Sequence, residues 1–170
     1  AGLEYNRDRL KDNMWGYNRH TDQTVNIYSA FLQNEWKNDR WGILIGGRLD
    51  KHNMVDNVIF SPRANLRFNP TQNINLRLSY SSGFRAPQAF DEDMHIENVG
   101  GTVAMIERAK DLKEEKSQSF SASADMYHRF GAFQTNLLIE GFYTRLTDVF
   151  VLGEPYDRGD GILVKTRSNG

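Results

Sequence analysis

The chain has 170 residues, 21 basic and 22 acidic side chains, and no cysteine, which suffices for one ordinary domain. Balanced charge excludes a bulk electrostatic pull toward nucleic acid or anionic lipid, and the missing thiols exclude disulfide frameworks, thiolate metal sites and cysteine nucleophiles. No stretch approaches the roughly 18 apolar residues of a membrane helix; this leaves open a membrane β-barrel, whose alternating faces give a soluble-looking mean hydropathy.

Taken in chain order, a polar opening segment, 1–23, precedes the first strand-rich stretch, Thr24 to Lys37. Between Arg40 and Asp50 the odd positions read Trp41, Ile43, Ile45, Gly47 and Leu49, while the even face carries Arg40, Arg48 and Asp50. From Ser61 to Asn69 the sides are Pro62, Ala64, Leu66, Phe68 and Arg63, Asn65, Arg67. From Asn73 to Ser81 they are Ile74, Leu76, Leu78, Tyr80 and Asn75, Arg77, Ser79. Gln118 to Met126 sets Phe120, Ala122, Ala124 and Met126 against Ser119, Ser121, Ser123 and Asp125. A period of two with no 3.6-residue repeat predicts half-buried strands. Gln134 to Phe150 is strand-rich with less regular alternation, and a seventh strand is predicted over Ile162 to Arg167.

The connections alternate in length. Tight turns built from Asn, Asp, Pro and Gly fall at 37–39, 69–72 and 129–131, and long loops at about 51–60, 83–117 and 153–161. All long loops therefore lie at one end of an antiparallel up-and-down meander of about seven strands, as in an outer-membrane barrel. Trp36, Trp41, Phe68, Phe130 and Phe133 flank the tight turns, where an interfacial aromatic girdle would place them.

On these residues the chain resembles the TonB-dependent outer-membrane receptors. "NPTQNINLRLSYSSGFRAP", 69–87, is similar to that family's turn, ascending strand and loop entry. In "AKDLKEEKSQSFSASADM", 109–126, Asp111, Leu112, Glu115 and Ser117 match its Asn-Pro-Asp-Leu-x-Pro-Glu-x-Ser segment, with Ala109, Lys110 and Glu114 departing from it. "YSAFLQNEWKNDRWGILIGGRLDKH" and "FYTRLTDVFVL" resemble a preceding hairpin and a later strand ending, so the likeness covers about residues 24–152. It implies an all-β chain that is a partial segment of a barrel of about 22 strands. The chain 1–170 is expected to be a single barrel segment with no plug domain and no TonB box. It also implies a Gram-negative outer-membrane location and import of a scarce siderophore-, haem- or vitamin-like nutrient. The TonB complex, the plug of the full-length receptor and outer-membrane lipid are the implied partners, with no enzymatic step and no cofactor. Two unpaired sheet edges and an apolar face predict self-association of the isolated segment. The alternative is a soluble β-sandwich or barrel binding module, for example for carbohydrate, in which Ile43, Leu66, Leu76 and Phe120 pack under a second sheet.

Candidate ligand contacts lie in the 83–117 loop: Arg85, Asp91, Asp93, His95, Glu97 and Arg108. Arg85, in Phe-Arg-Ala-Pro, suits either a loop-base anchor or an anion contact. Asp91, Glu92, Asp93, His95 and Glu97 form the densest polar cluster but complete no metal-spacing motif. The resemblance adds that His95, between the Phe-Arg-Ala-Pro box and Asp111-Leu112, occupies the place of a haem-iron ligand in haem-uptake receptors. His20, His52 and His128 are scattered, no nucleophile elbow, phosphate loop or His-Glu-x-x-His pair occurs, and Glu107 to Lys116 reads as a short helix or solvated loop.

Overall fold

The computed structural model describes residues 1–17, 19–88, 97–99, 102–159 and 161–170. Strands β1 (Gly2–Met14), β2 (Arg19–Lys37), β3 (Trp41–His52), β4 (Ile59–Thr71) and β5 (Ile74–Arg85) run in sequence. A hairpin β6 (Glu97–Val99) and β7 (Thr102–Arg108) interrupts them before β8 (Glu115–Phe130) and β9 (Phe133–Thr147). Short strands β10 (Phe150–Leu152) and β11 (Tyr156–Asp157) precede β12 (Leu163–Asn169). Seven strands form one curled antiparallel sheet in the order β1-β2-β3-β4-β5-β8-β9; β10-β12-β7-β6 form a second, with β11 on β12.

The register makes each face of the large sheet chemically uniform, because directly paired residues share a face. One row across β3, β4, β5, β8 and β9 reads Trp41, Phe68, Leu76, Ala124, Ile139, and the row above it Ile43, Leu66, Leu78, Ala122, Gly141. The next apolar row is Ile45, Ala64, Tyr80, Phe120, Tyr143. Rows on the opposite face read Gly42, Arg67, Arg77, Ser123, Glu140 and Gly46, Arg63, Ser81, Ser119, Thr144. The apolar face has no cover: Ile45 and Leu78 are each 54% exposed and Phe120 49%. The second sheet does not lie over it, so the sandwich alternative is set aside.

Aromatic side chains bound this face at both ends. Trp36, Trp41, Phe68, Phe130 and Phe133 share it beside the tight turns, with Trp41 and Phe68 stacked at 4.2 Å. At the other end Tyr5 stacks on Tyr28 at 4.9 Å, and between the two belts Tyr80 meets Phe120 at 4.7 Å. Ten residues of β3 separate Trp41 from Lys51 on the same face. At about 3.4 Å per residue and about 40° of tilt this is about 26 Å, the height of a barrel's apolar band.

Local chemistry fixes the turns. Asn38 Oδ1 accepts from the backbone N–H of Arg40 and Trp41 at 3.0 and 2.8 Å, closing β2 onto β3. Gly131 closes the β8–β9 turn at φ 59°, a conformation that suits glycine.

Three regions differ from the sequence-based expectation. The opening segment is largely strand: β1 pairs with β2 along its whole length. Above the apolar band it carries charge on both faces, and cross-strand pairs such as Arg9 to Asp22 at 2.9 Å replace the alternating signal. Residues 162–167 do not extend the meander; β12 runs parallel to β7, Leu163 opposite Ala104 through Arg167 opposite Arg108. The charge run 107–116 is neither helix nor simple loop, being divided between the end of β7, a turn and the start of β8.

Cores are correspondingly small. Val55, Ile59 and Ala86, with Phe84 against them, form one under the base of the long loops. Met105 and Val164, 2% and 0% exposed, centre the second sheet.

Candidate functional site at the long-loop rim

At the end of the sheet opposite the tight turns, a cleft of about 600 Å³ opens among the long connections. Arg19, His20 and Thr21 enter it from the start of β2, Met54 from the β3–β4 connection and Pro87 from the exit of β5. Met105 to Arg108 of β7, with Ala109, Lys110 and Leu112, form a further wall, and Arg158 reaches in from the turn between β11 and β12. Its apolar lining is Met54, Pro87, Met105, Ile106 and Leu112, of which Met105 and Pro87 are buried. Arg19, Arg108, Lys110 and Arg158 bring four cationic side chains, against Glu107 as the carboxylate of the lining.

Four contacts hold this arrangement. Arg108 donates to the Pro87 carbonyl at 3.0 Å, tying β7 to the Phe-Arg-Ala-Pro exit. Arg19 donates to Asp12 at 2.8 Å, and Arg158 stands 3.9 Å from Glu107. The Ala109 N–H donates to the Arg167 carbonyl at 2.8 Å, continuing the β7–β12 ladder past the strand end. Beside the cleft His20 packs edge-on against Trp15 at 4.7 Å, and Trp15 is 77% exposed. Below it His52 is fully buried, accepting from Met54 N–H through Nδ1 at 3.1 Å and facing Gln88 Oε1 through Nε2 at 3.3 Å. With Nδ1 accepting, Nε2 is the ring nitrogen left to donate to Gln88 Oε1.

The sequence-predicted contacts separate in space. Arg108 lines the cleft. Arg85 does not; it pairs in register with Glu115, with its guanidinium 5.6 Å from the Phe150 ring centre, at the loop base. The backbone of Glu97 opens β6 opposite Ala104. Asp91, Asp93 and His95 lie outside the described residues. Among the described residues no group of three or more His, Asp and Glu is placed to hold a metal ion. Sequence alone does not single out Arg19, Lys110 or Arg158, because packing of distant segments is what brings them to one cleft.

An open curled sheet with one apolar face, one polar face and a cleft among its long loops has the form of a β-barrel wall. The family model for the TonB-dependent receptor-like β-barrel matches residues 1–167, and the chain belongs to that family. The family is one of receptors rather than enzymes. Among solved structures, the chain is similar to the siderophore receptor PirA from Pseudomonas aeruginosa, with TM-score 0.76 and 16% identity over 99% of this chain and 32% of that one. It is also similar to a ferric enterobactin receptor (PfeA) mutant from the same organism, with TM-score 0.70 and 17% identity over 98% and 28%. The FrpB iron transporter from Neisseria meningitidis follows with TM-score 0.57 and 16% identity over 88% and 22%. The chain thus spans about a third of the length of the receptors it matches. No curated protein matches the chain.

Proposed function

We propose that this chain is the wall and outer rim of a Gram-negative outer-membrane receptor that imports a scarce anionic nutrient, of ferric-siderophore type, with energy supplied through the TonB complex. The observation that carries the cargo class is the rim cleft, where four cations stand around an apolar lining. A polyanionic chelate with flat organic arms needs both: charge-assisted hydrogen bonds for its oxygens and apolar surface for its rings. The similar receptors for siderophores and ferric enterobactin support the same reading. In the same reading Asp91, Asp93, His95 and Glu97, from the sequence segment between β5 and β7, are candidate cargo contacts, and Arg85 anchors the loop base.

The test uses the full-length receptor with the double substitution R108E/R158E, titrated with a ferric catecholate and with an uncharged ferric hydroxamate. Losing two charge-assisted contacts of about 1.5–3 kcal/mol each weakens the anionic chelate at least a hundredfold. Unchanged affinity for the anionic chelate, or equal affinity of the unsubstituted receptor for both chelates, overturns the reading. The companion substitution His95→Ala separates haem from siderophore cargo, since haem held by that histidine would be lost with it.

A further inference from the structure

Strand β1 sorts its charges by sign. Its side chains alternate, and in register with β2 and β3 its odd positions share the apolar face of the large sheet. Above Leu3 and Tyr5 those odd positions read Arg7, Arg9 and Lys11, whereas the carboxylates of the strand, Glu4, Asp8 and Asp12, all fall on the even side. Asp22, on the same face of β2, offsets part of this charge: it accepts from Arg9 at 2.9 Å and stands opposite Lys11. Arg7 stands opposite Asn26, whose Oδ1 already accepts from the Tyr5 hydroxyl at 3.0 Å. Lys51 closes the row Tyr5, Tyr28, Lys51 and donates to the Val55 and Asp56 carbonyls at 2.9 and 2.7 Å. Those two bonds fix its ammonium and leave a third N–H to donate. Arg7 and Lys51 are exposed, and neither forms an ion pair with any described residue.

Directly beneath these two cations the apolar face is dented. A groove of about 550 Å³ is lined by Leu3, Tyr5, Tyr28, Ala30 and Leu49 and reaches Lys51. Ala30 lies between Leu3 and Leu49 in the register, so a methyl group stands where its neighbours carry whole leucine side chains. That row lies two residues below the Tyr5 row and Arg7 two above it, or about 5 Å each way along the bilayer normal at about 40° tilt. The headgroup region of a leaflet is about 5–8 Å deep. The groove therefore opens into hydrocarbon, while Lys51 and Arg7 stand at headgroup depth.

We infer that the groove and the two cations form a site for one phosphate-bearing lipid of the outer leaflet, with an acyl chain laid over Ala30 and the phosphate held between Lys51 and Arg7. Each half of the site needs the other. An uncharged lipid fills the groove and leaves both cations unmatched; a free anion meets the cations and leaves the groove empty. A lipid phosphate supplies charge-assisted hydrogen bonds to both at the edge of a low-dielectric layer, where such contacts are strong. The inference rests on the barrel reading given under Proposed function, but not on the identity of the cargo.

The test titrates the full-length receptor, in a neutral detergent, with phosphatidic acid, with diacylglycerol of the same chains and with inorganic phosphate, and counts bound lipid by native mass spectrometry. The receptor is expected to retain a single phosphatidic acid, with affinity about tenfold or more above that for diacylglycerol. R7Q/K51Q and the groove-filling A30W should each lower that retention by a similar factor, and the charge-keeping R7K/K51R should preserve it. Equal retention of phosphatidic acid and diacylglycerol by the unsubstituted receptor overturns the inference, whether or not the variants fold. Retention unchanged in R7Q/K51Q or in A30W also overturns it, as does displacement of the lipid by inorganic phosphate. Loss of the lipid in R108E/R158E alone overturns it too, by moving the lipid to the rim cleft. A receptor that retains the lipid through Arg7 and Lys51 but binds no ferric chelate refutes the cargo reading and leaves this one standing.

Discussion

Ile45→Arg tests whether the uncovered face is a bilayer face. Ile45 lies four residues of β3 from the Trp41 belt and six from Lys51, or about 10 and 16 Å along the bilayer normal at about 40° tilt. That puts it within about 3 Å of the middle of the band, too deep for an arginine to reach either interface freely. An arginine on the lipid face near the midplane costs about 2–4 kcal/mol, whereas the same change on a water-exposed face stays within about 0.5 kcal/mol. The matched control is Gln33→Arg, an exposed position on the opposite face of β2, paired with Gly46. Denaturant midpoints of the full-length receptor refolded into lipid vesicles give both values on one scale, provided the slope is unchanged. A loss below about 1 kcal/mol at position 45, or one equal to that at position 33, refutes the assignment of the faces.

Three further outcomes are expected. Asp50, 2% exposed, accepts from Ser29 at 2.6 Å and Arg48 at 2.8 Å; D50A should cost on the order of 3 kcal/mol by leaving the Ser29 hydroxyl without its acceptor and Arg48 with Glu4 as its one remaining carboxylate, and a loss under about 1 kcal/mol in the same unfolding assay counts against the network. Beyond the apolar band, the hydrogen bond from Arg9 holds the Asp22 carboxyl below its ordinary value of 3.8. A lowered folded value means the pair contributes above the ordinary carboxylate range and is lost as pH falls through the lowered one; amide exchange at the top of the β1–β2 hairpin should therefore quicken only in acid below that range, and quickening that begins near neutrality would contradict it. Finally, β1 and β9 end the sheet with open edges, so the isolated 170-residue chain should self-associate or require detergent, and a monodisperse monomer in plain buffer by light scattering would speak against that.

Much of the meander is legible in the sequence because β3, β4, β5 and β8 each set apolar side chains on one face and polar ones on the other, and this alone imposes a period of two. Leu66 and Leu78 announce their strands; Arg7, Arg9 and Lys11 of β1 do not, because above the band both faces meet water. The segment 162–167 reads as strand from composition, but its partner cannot be read: a parallel pairing with residues 104–108 is set by contacts nearly sixty residues away. The site follows the same division. Arg108 stands in a loop whose exit motif marks it, whereas Arg19, Lys110 and Arg158 become a group only when the second sheet folds.

That second sheet constrains how the rim can diverge. Leu163 to Arg167 march in step with Ala104 to Arg108, and the second of the five pairs, Val164 beside Met105, is almost wholly enclosed. Side chains alternate along a strand, so an insertion of one residue within either limb would turn that pair outward and bring its neighbours in. Sequence change in the 83–117 connection is therefore tolerated outside the ladder, and paired in inheritance with the segment that follows the 153–161 loop along these five positions. Related receptors that differ in cargo should show length variation on either side of the ladder and matched substitutions within it.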